Sequence, residues 1–280
     1  MRRDERQTEV DAEESSTAPA KRPMEPTPLI TIRNLHKAYR EPVLKNINLE
    51  VYAGETIGYI GPNGAGKSTT IKILIGMVAD FEGEVTVLGY DVRQHPLEVK
   101  KRIGYVPENA ALYDSLTPLE YLRFVGQLHE MDENNIAGKS QQLLSLFDLG
   151  DQQNARMHTF SKGMRQKVLL IAGLIHNPAV LFLDEPLSGL DANAVILVKE
   201  VLAQLAIAGK TIFYSSHLMD VVEKISNRIA ILNGGEIVAN GSFETLRAQR
   251  GDSLEKVFTE LTGNHQHLAT AVQFVQVLNQ

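Results

Sequence analysis

The chain has no cysteine among its 280 residues. That excludes a disulfide framework and any thiolate metal site, and it suits the cytosol. Long apolar runs are missing too. The longest, Val168–Ile175 and Ala179–Leu183, are far short of the roughly 18 residues that span a bilayer. The sequence therefore predicts no membrane crossing of its own. Nor is there an excess of positive charge: 28 basic and 34 acidic side chains leave a net charge of −6. A mildly acidic chain makes no electrostatic case for nucleic acid as a main partner. Internal repeats and sustained heptads are absent as well. What is present, at 43% hydrophobic, is ample material for one large domain or two small ones.

Met1–Thr27 is polar and dense in acids and bases of both signs. It holds too little apolar surface to fold and is expected to be a disordered leader. Arg2-Arg3 opens like a twin-arginine signal, but no apolar stretch follows it, so a signal peptide is not expected. The main domain is expected over residues 28–247, with a helical insertion at about 109–177 and a helical tail over 248–280. Within the tail, Leu268, Val272, Val275 and Leu278 form an apolar stripe, read as a docking or dimer contact.

The fold class is read as α/β. Ile30, Ile32 and Leu35, then Leu49 and Val51, then Val85 and Val87 alternate as half-exposed antiparallel strands do. Ile103–Pro107, Ala179–Leu183 and Thr211–Ser215 are instead apolar or β-branched runs separated by helical stretches, as in a parallel sheet covered on both faces. Arg228–Leu232 and Glu236–Ala239 form a hairpin turned at Asn233-Gly234-Gly235. Thr117-Pro118-Leu119-Glu120 is a capping box that starts a helix. Further helices are expected over Gly138–Phe147 and from the Ser161 region to Ile175.

Gly61–Thr69 reads Gly-Pro-Asn-Gly-Ala-Gly-Lys-Ser-Thr and fits G-x-x-x-x-G-K-[ST]. Phosphate oxygens crowd a backbone that must turn back on itself, so Cβ atoms are unwelcome there. The turned loop, Gly61, Asn63, Gly64, Ala65 and Gly66 running into Lys67, Ser68 and Thr69, aims N–H groups inward, and the following helix adds its dipole. Lys67 reaches the β- and γ-phosphates, and the Ser68 hydroxyl ligates Mg²⁺. Glu55–Ile60 before the loop reads as a buried strand. Lys67–Val78 after it reads as a helix with Ile71, Ile73, Leu74 and Met77 for packing. Leu181-Phe182-Leu183-Asp184-Glu185 is an apolar strand ending in two acids. In phosphate-loop enzymes the first acid serves Mg²⁺ and the second is free for chemistry.

Phe160-Ser161-Lys162-Gly163-Met164-Arg165-Gln166 resembles the signature of the ATP-binding cassette (ABC) family. The other family motifs follow in family order. Ser188-Gly189-Leu190-Asp191 matches the D-loop, His217 after Ser215-Ser216 the switch histidine, and Tyr39 the aromatic on which adenine stacks. The resemblance covers about Leu29 to Gly241. It implies a phosphate-loop core with an antiparallel β-subdomain and an inserted helical subdomain, acting on ATP with Mg²⁺. It also implies that Ser161 and Gly163 face the γ-phosphate held by a second cassette, in a head-to-tail dimer, with a homodimer expected. Two positions depart from the family pattern. Lys162 replaces a glycine and is expected to point to solvent. Glu108 stands where glutamine is usual and is expected to lean towards Mg²⁺.

These variants, with Ser253–Phe258 and Leu261-Thr262-Gly263, resemble an export branch serving drugs, ions or polysaccharides. The resemblance thus implies an ATPase subunit powering transport through separate integral membrane permeases, on the cytoplasmic face of the membrane. Lys67 holds phosphates, Ser68, Asp184 and Glu108 serve the metal, Glu185 polarises water, and His217 orients the γ-phosphate. The alternative is a soluble cassette acting on ribosomes or DNA. Such relatives usually carry two cassettes, coiled coils or zinc-binding insertions, and this chain shows one loop, no heptads and no cysteine. A guanine-nucleotide switch is less favoured still, because no Asn-Lys-x-Asp reader occurs.

Overall fold

The structure is a computed structural model and describes residues 27–109, 112–250, 253–263 and 274–278. The expected leader up to Pro26, and Leu268 and Val272 of the apolar stripe, lie outside the described residues. In chain order the elements begin with β1 (Ile30–Ala38), β2 (Pro42–Val51), β3 (Thr56–Ile60) and α1 (Lys67–Leu74). Next come β4 (Glu82–Val87), β5 (Tyr90–Asp91), α2 (Pro96–Arg102) and β6 (Ile103–Val106). The insertion holds α3 (Pro118–Leu128), α4 (Glu133–Leu146) and α5 (Lys162–Leu174), and the chain then returns to the sheet at β7 (Val180–Asp184). After it come α6 (Ala192–Ile207), β8 (Thr211–Ser215), α7 (Met219–Ile225), β9 (Arg228–Asn233), β10 (Glu236–Gly241), α8 (Phe243–Arg250) and α9 (Leu254–Thr262).

Two sheets result. The first, in the order β2-β1-β4-β5, is antiparallel. The second, β10-β9-β3-β8-β7-β6, is parallel from β9 to β6 with β10 antiparallel at its edge. The buried positions of β1 change phase after Ile32, passing to Leu35 and Lys37. A break in register between Ile32 and Leu35 accompanies Asn34 at φ 49. An extra residue in one strand shifts the inward face by one, as a β-bulge does.

The β3, β7 and β8 strands are buried at every position, yet period two still sorts their side chains. Val180 and Phe182 of β7, with Phe213 of β8, join Ile57 and Tyr59 in a core shared with the antiparallel sheet and α1. Leu181, Leu183, Ile212 and Tyr214 point the other way, into a core closed by the helices of the other face. Because the sheet is covered on both sides, apolar residues fill both phases and no alternation shows in the sequence. Leu254 and Val257 of α9 are fully buried in the second core, so this part of the tail packs on the domain.

Two helix boundaries differ from expectation. The α1 helix stops at Leu74 rather than Val78 because Gly76 takes φ 67. The Gly76 N–H donates to Ile73 O at 2.9 Å and the Met77 N–H to Lys72 O at 2.8 Å, which is the Schellman pattern. Met77 is consequently 60% exposed instead of packed. The α4 helix starts at Glu133, before Gly138, because Asp132 accepts from the N–H groups of Asn134 and Asn135. Two asparagines are poor helix formers, and the cap outweighs them. At α3 both bonds of the capping box form, with Glu120 accepting from Thr117 N–H at 2.8 Å and Thr117 Oγ1 from Glu120 N–H at 3.2 Å.

In the parallel sheet, Asp184 pairs with Ser215, and Val106 with Leu183. The carboxyl ends of β3, β6, β7 and β8 therefore meet along one edge. Ligands of open α/β sheets bind at that edge.

Candidate active site

The loop 61–66 leaves β3 at this edge and opens α1. Gly66 is its N-cap residue, at φ 109, and no side chain caps the helix. The first amide groups of α1 are thus left for an external acceptor. A Cβ on Gly61 would lie 2.3 Å from Leu232 O, and one on Gly66 would lie 2.5 Å from Leu44 Cδ2. Packing against backbone requires glycine at Gly61, and the positive φ of 109 favours it at Gly66. The Lys67 ammonium curls back over the loop and donates to Gly61 O at 2.8 Å and Pro62 O at 3.2 Å. Burial pulls its pKa below the ordinary lysine value, while the carboxylates of Glu185, Asp184 and Glu108 act in the opposite sense.

A cavity of about 750 Å³ lies over the loop. Gly61, Asn63, Gly64, Gly66, Lys67, Ser68 and Thr69 form one side of it. Asp184 and Glu185 at the end of β7, Glu108 after β6 and His217 after β8 form the other. Ala65 is buried beneath the loop and presents no side chain to the cavity.

The two acids differ in environment. Asp184 is 3% exposed, and among the described residues its Oδ1 has no hydrogen-bond partner. Burial raises its pKa, the Ser68 and Ser215 hydroxyls beside it lower it, and the Glu108 charge raises it again. Glu185 has φ 48, a left-handed conformation rare outside glycine. It is held there by its N–H donating to Ser215 O at 2.9 Å. Its carboxylate accepts from Ser216 Oγ at 3.3 Å, and His217 Nδ1 lies 2.9 Å from Oε1. His217 is itself 66% exposed.

The donors suit a hard divalent cation. A buried carboxylate oxygen and a hydroxyl close by are oxygen ligands of the kind such a cation takes. Among the described residues no three acids or histidines cluster to hold a metal unaided. Mg²⁺ meets this by taking one or two protein oxygens plus phosphate and water.

Three expected site residues stand apart from the cavity. Tyr39, just past β1, is 60% exposed, with the Lys37 ammonium 4.6 Å from its ring centroid. Ser161 caps α5, its Oγ accepting from Met164 N–H at 3.2 Å, and Gly163 lies in the first turn. Neither lines the cavity. Lys162 is exposed, as expected, and its ammonium also donates to Ser188 Oγ at 3.0 Å. Conversely, Val43, Met219 and Phe258 line the cavity without having been singled out for it. The apolar spacing Leu254, Val257, Phe258, Leu261 signals an amphipathic helix, but not that α9 lies beside the phosphate loop.

A cavity walled by loop amides and an ammonium on one side, and by an unpartnered carboxylate oxygen on the other, takes a polyanion together with a cation. On this fold that defines a phosphate-loop nucleotide hydrolase. Comparison with known proteins narrows the class. Residues 44–188 match the family model described as ABC transporter. The ABC transporter ATP-binding protein NatA of Bacillus subtilis is 32% identical over 237 residues, 82% of this chain and 96% of that protein. An uncharacterized ABC transporter ATP-binding protein of Nostoc is 42% identical over 205 residues, 72% of this chain. The match spans only 61% of that Nostoc protein's length. The Nod factor export ATP-binding protein I of Cupriavidus metallidurans is 32% identical over 83% of this chain and 77% of its own length.

Among solved structures, an ATP-binding subunit of an ABC transporter superposes with a TM-score of 0.78 at 32% identity, covering 83% of this chain and 99% of that one. A dimeric ATP-binding cassette in a post-hydrolysis state with ADP and Pi gives 0.71 at 25% identity, covering 76% and 98%. The chain belongs to the ABC transporter family, as an ATP-binding and ATP-hydrolysing cassette.

Proposed function

We propose that this cassette hydrolyses MgATP to drive export through membrane-crossing subunits carried on separate chains. The observation that carries the chemistry is the acid pair at the end of β7, one oxygen unpartnered and buried, across a single cavity from Lys67 and the open start of α1. The loop amides and Lys67 hold the phosphates. Ser68 and Asp184 hold Mg²⁺, with Glu108 at the same cavity adding negative charge towards it. When bound there, Mg²⁺ would supply neutralisation of the phosphate charge. Glu185 takes the proton of the attacking water. The His217 ring, oriented through Nδ1 by Glu185, turns its other nitrogen to the γ-phosphate. Tyr39 offers an exposed face to adenine. Ser161 and Gly163, away from this chain's own cavity, serve ATP held by a second cassette in a head-to-tail dimer.

Among the described residues no helix is long and apolar enough to cross a membrane. The permease partner is supported by the names of the transporter relatives, and export by the Nod factor export relative. A groove of about 420 Å³ between the end of α1, β6 and α3, lined by Met77, Tyr105, Tyr121 and Val125, is the docking place we assign to the permease. Recovery with membranes only when the permease is co-expressed is the expected result. Firm binding of the isolated chain to lipid vesicles would contradict it.

The decisive experiment is Glu185→Gln, which keeps size and hydrogen bonding but removes basicity. It should bind MgATP, lose about 10²–10⁴-fold in turnover, and accumulate as an ATP-bound dimer. Wild-type turnover would remove Glu185 from the role of base.

A further inference from the structure

We infer that Lys162 is a positioning residue for Glu185, tying the start of α5 to the loop that carries the catalytic carboxylate. The inference rests on the reading of Glu185 as base. Three contacts form the path. The Lys162 ammonium donates to Ser188 Oγ at 3.0 Å. The Ser188 N–H donates to Glu185 O at 3.0 Å. One turn further along α5, the fully buried Gln166 donates through Nε2 to Pro186 O at 3.1 Å.

The stem of Lys162 also lies flat on the loop. A Cβ added to Gly189 would come within 2.7 Å of its Cδ and 2.9 Å of its Cγ and Cε. Beside it, a Cβ on Gly163 would come within 2.9 Å of Gly189 O. Residues 186–189 are thus gripped from one side by the first two turns of α5. Glu185, at the head of this segment, holds a left-handed φ of 48 that its surroundings must enforce. A shift of α5 at its exposed end is therefore felt at the backbone of the base. A charged donor at position 162 makes the coupling specific: a glycine there has neither the ammonium for Ser188 nor the stem over Gly189.

The test is a double-mutant cycle in the full chain, with ATP turnover measured at saturating Mg²⁺. Lys162→Met keeps the stem and removes the ammonium, and Ser188→Ala removes its acceptor. Each should lower kcat about three- to tenfold with KM for ATP unchanged. The pair together should lose no more than either alone, and Lys162→Arg should restore most of the rate. A purely structural contact would move the melting temperature and leave the split between kcat and KM unaltered. Wild-type kcat in Lys162→Met, or losses that multiply in the double variant, would overturn the inference. Glu185→Gln run alongside separates the failures. If it abolishes turnover while the Lys162 variants are silent, only the coupling falls.

Discussion

Two helices of this cassette begin in ways that invite an anion, α1 and α5, and they are built on opposite terms. The α1 helix opens at a glycine with no side-chain cap, inside a cavity, with a desolvated ammonium and an unpartnered carboxylate oxygen nearby. The α5 helix opens at an exposed serine that already satisfies one of its amides, and its lysine is bonded to Ser188. The first start is left unsatisfied by the fold and is completed by ligand. The second is partly capped within the single chain and lies away from this chain's own cavity. Polar groups buried without partners cost stability, so the cavity around α1 is a place where function has been kept at the expense of folding free energy.

The sharpest way to break this comparison is Lys67→Ala. It leaves the loop without its buried ammonium, and ATP should bind about 10²–10³-fold more weakly by titration calorimetry. An affinity within threefold of wild type would mean that the loop amides suffice. A change in the opposite direction, towards stability, is expected from Asp184→Asn. Asp184 has a raised folded pKa, so its contribution to stability is present below the unfolded carboxylate pKa and is lost as pH rises through the folded value. At neutral pH its buried charge is a cost. The asparagine variant should unfold with about 1–2 kcal/mol more stability without nucleotide, while losing Mg²⁺-dependent turnover. Thermal unfolding at descending pH should show the gain shrink as the wild-type carboxyl protonates; an unchanged gain would refute the charge argument.

The smallest effect falls on the other helix. Ser161→Ala removes a cap and should cost about 1 kcal/mol in stability. ATP affinity at the loop should not move, but the ATP-bound dimer of the Glu185→Gln background should weaken. Sedimentation of the double variant at rising ATP checks this, and undiminished dimer would detach Ser161 from the second site.

The sequence by itself determined the parts of this molecule that depend on neighbours along the chain. The glycine spacing of 61–66, the capping box at Thr117, the acid pair behind an apolar strand and the order of the motifs are local patterns, each written within a few residues. Period two in the antiparallel sheet, and its absence from β3, β7 and β8, likewise separated the two sheets before any contact was known.

Tertiary structure decided the rest, because the determining partner lies far away in sequence. The bulge at Asn34 moved the buried face of β1, and Gly76 ended α1 early enough to expose Met77. Whether the exposed Lys162 also meets Ser188 depends on where the loop after β7 returns. That Phe258 reaches the nucleotide cavity depends on α9 docking Leu254 and Val257 into a core built from β9 and α7. The contact of Glu185 with His217 requires β7 and β8 to be parallel neighbours in register. Side-chain type announces what a residue is able to do. Only the closing of long loops, whose entropic cost the buried core offsets, settles what it meets.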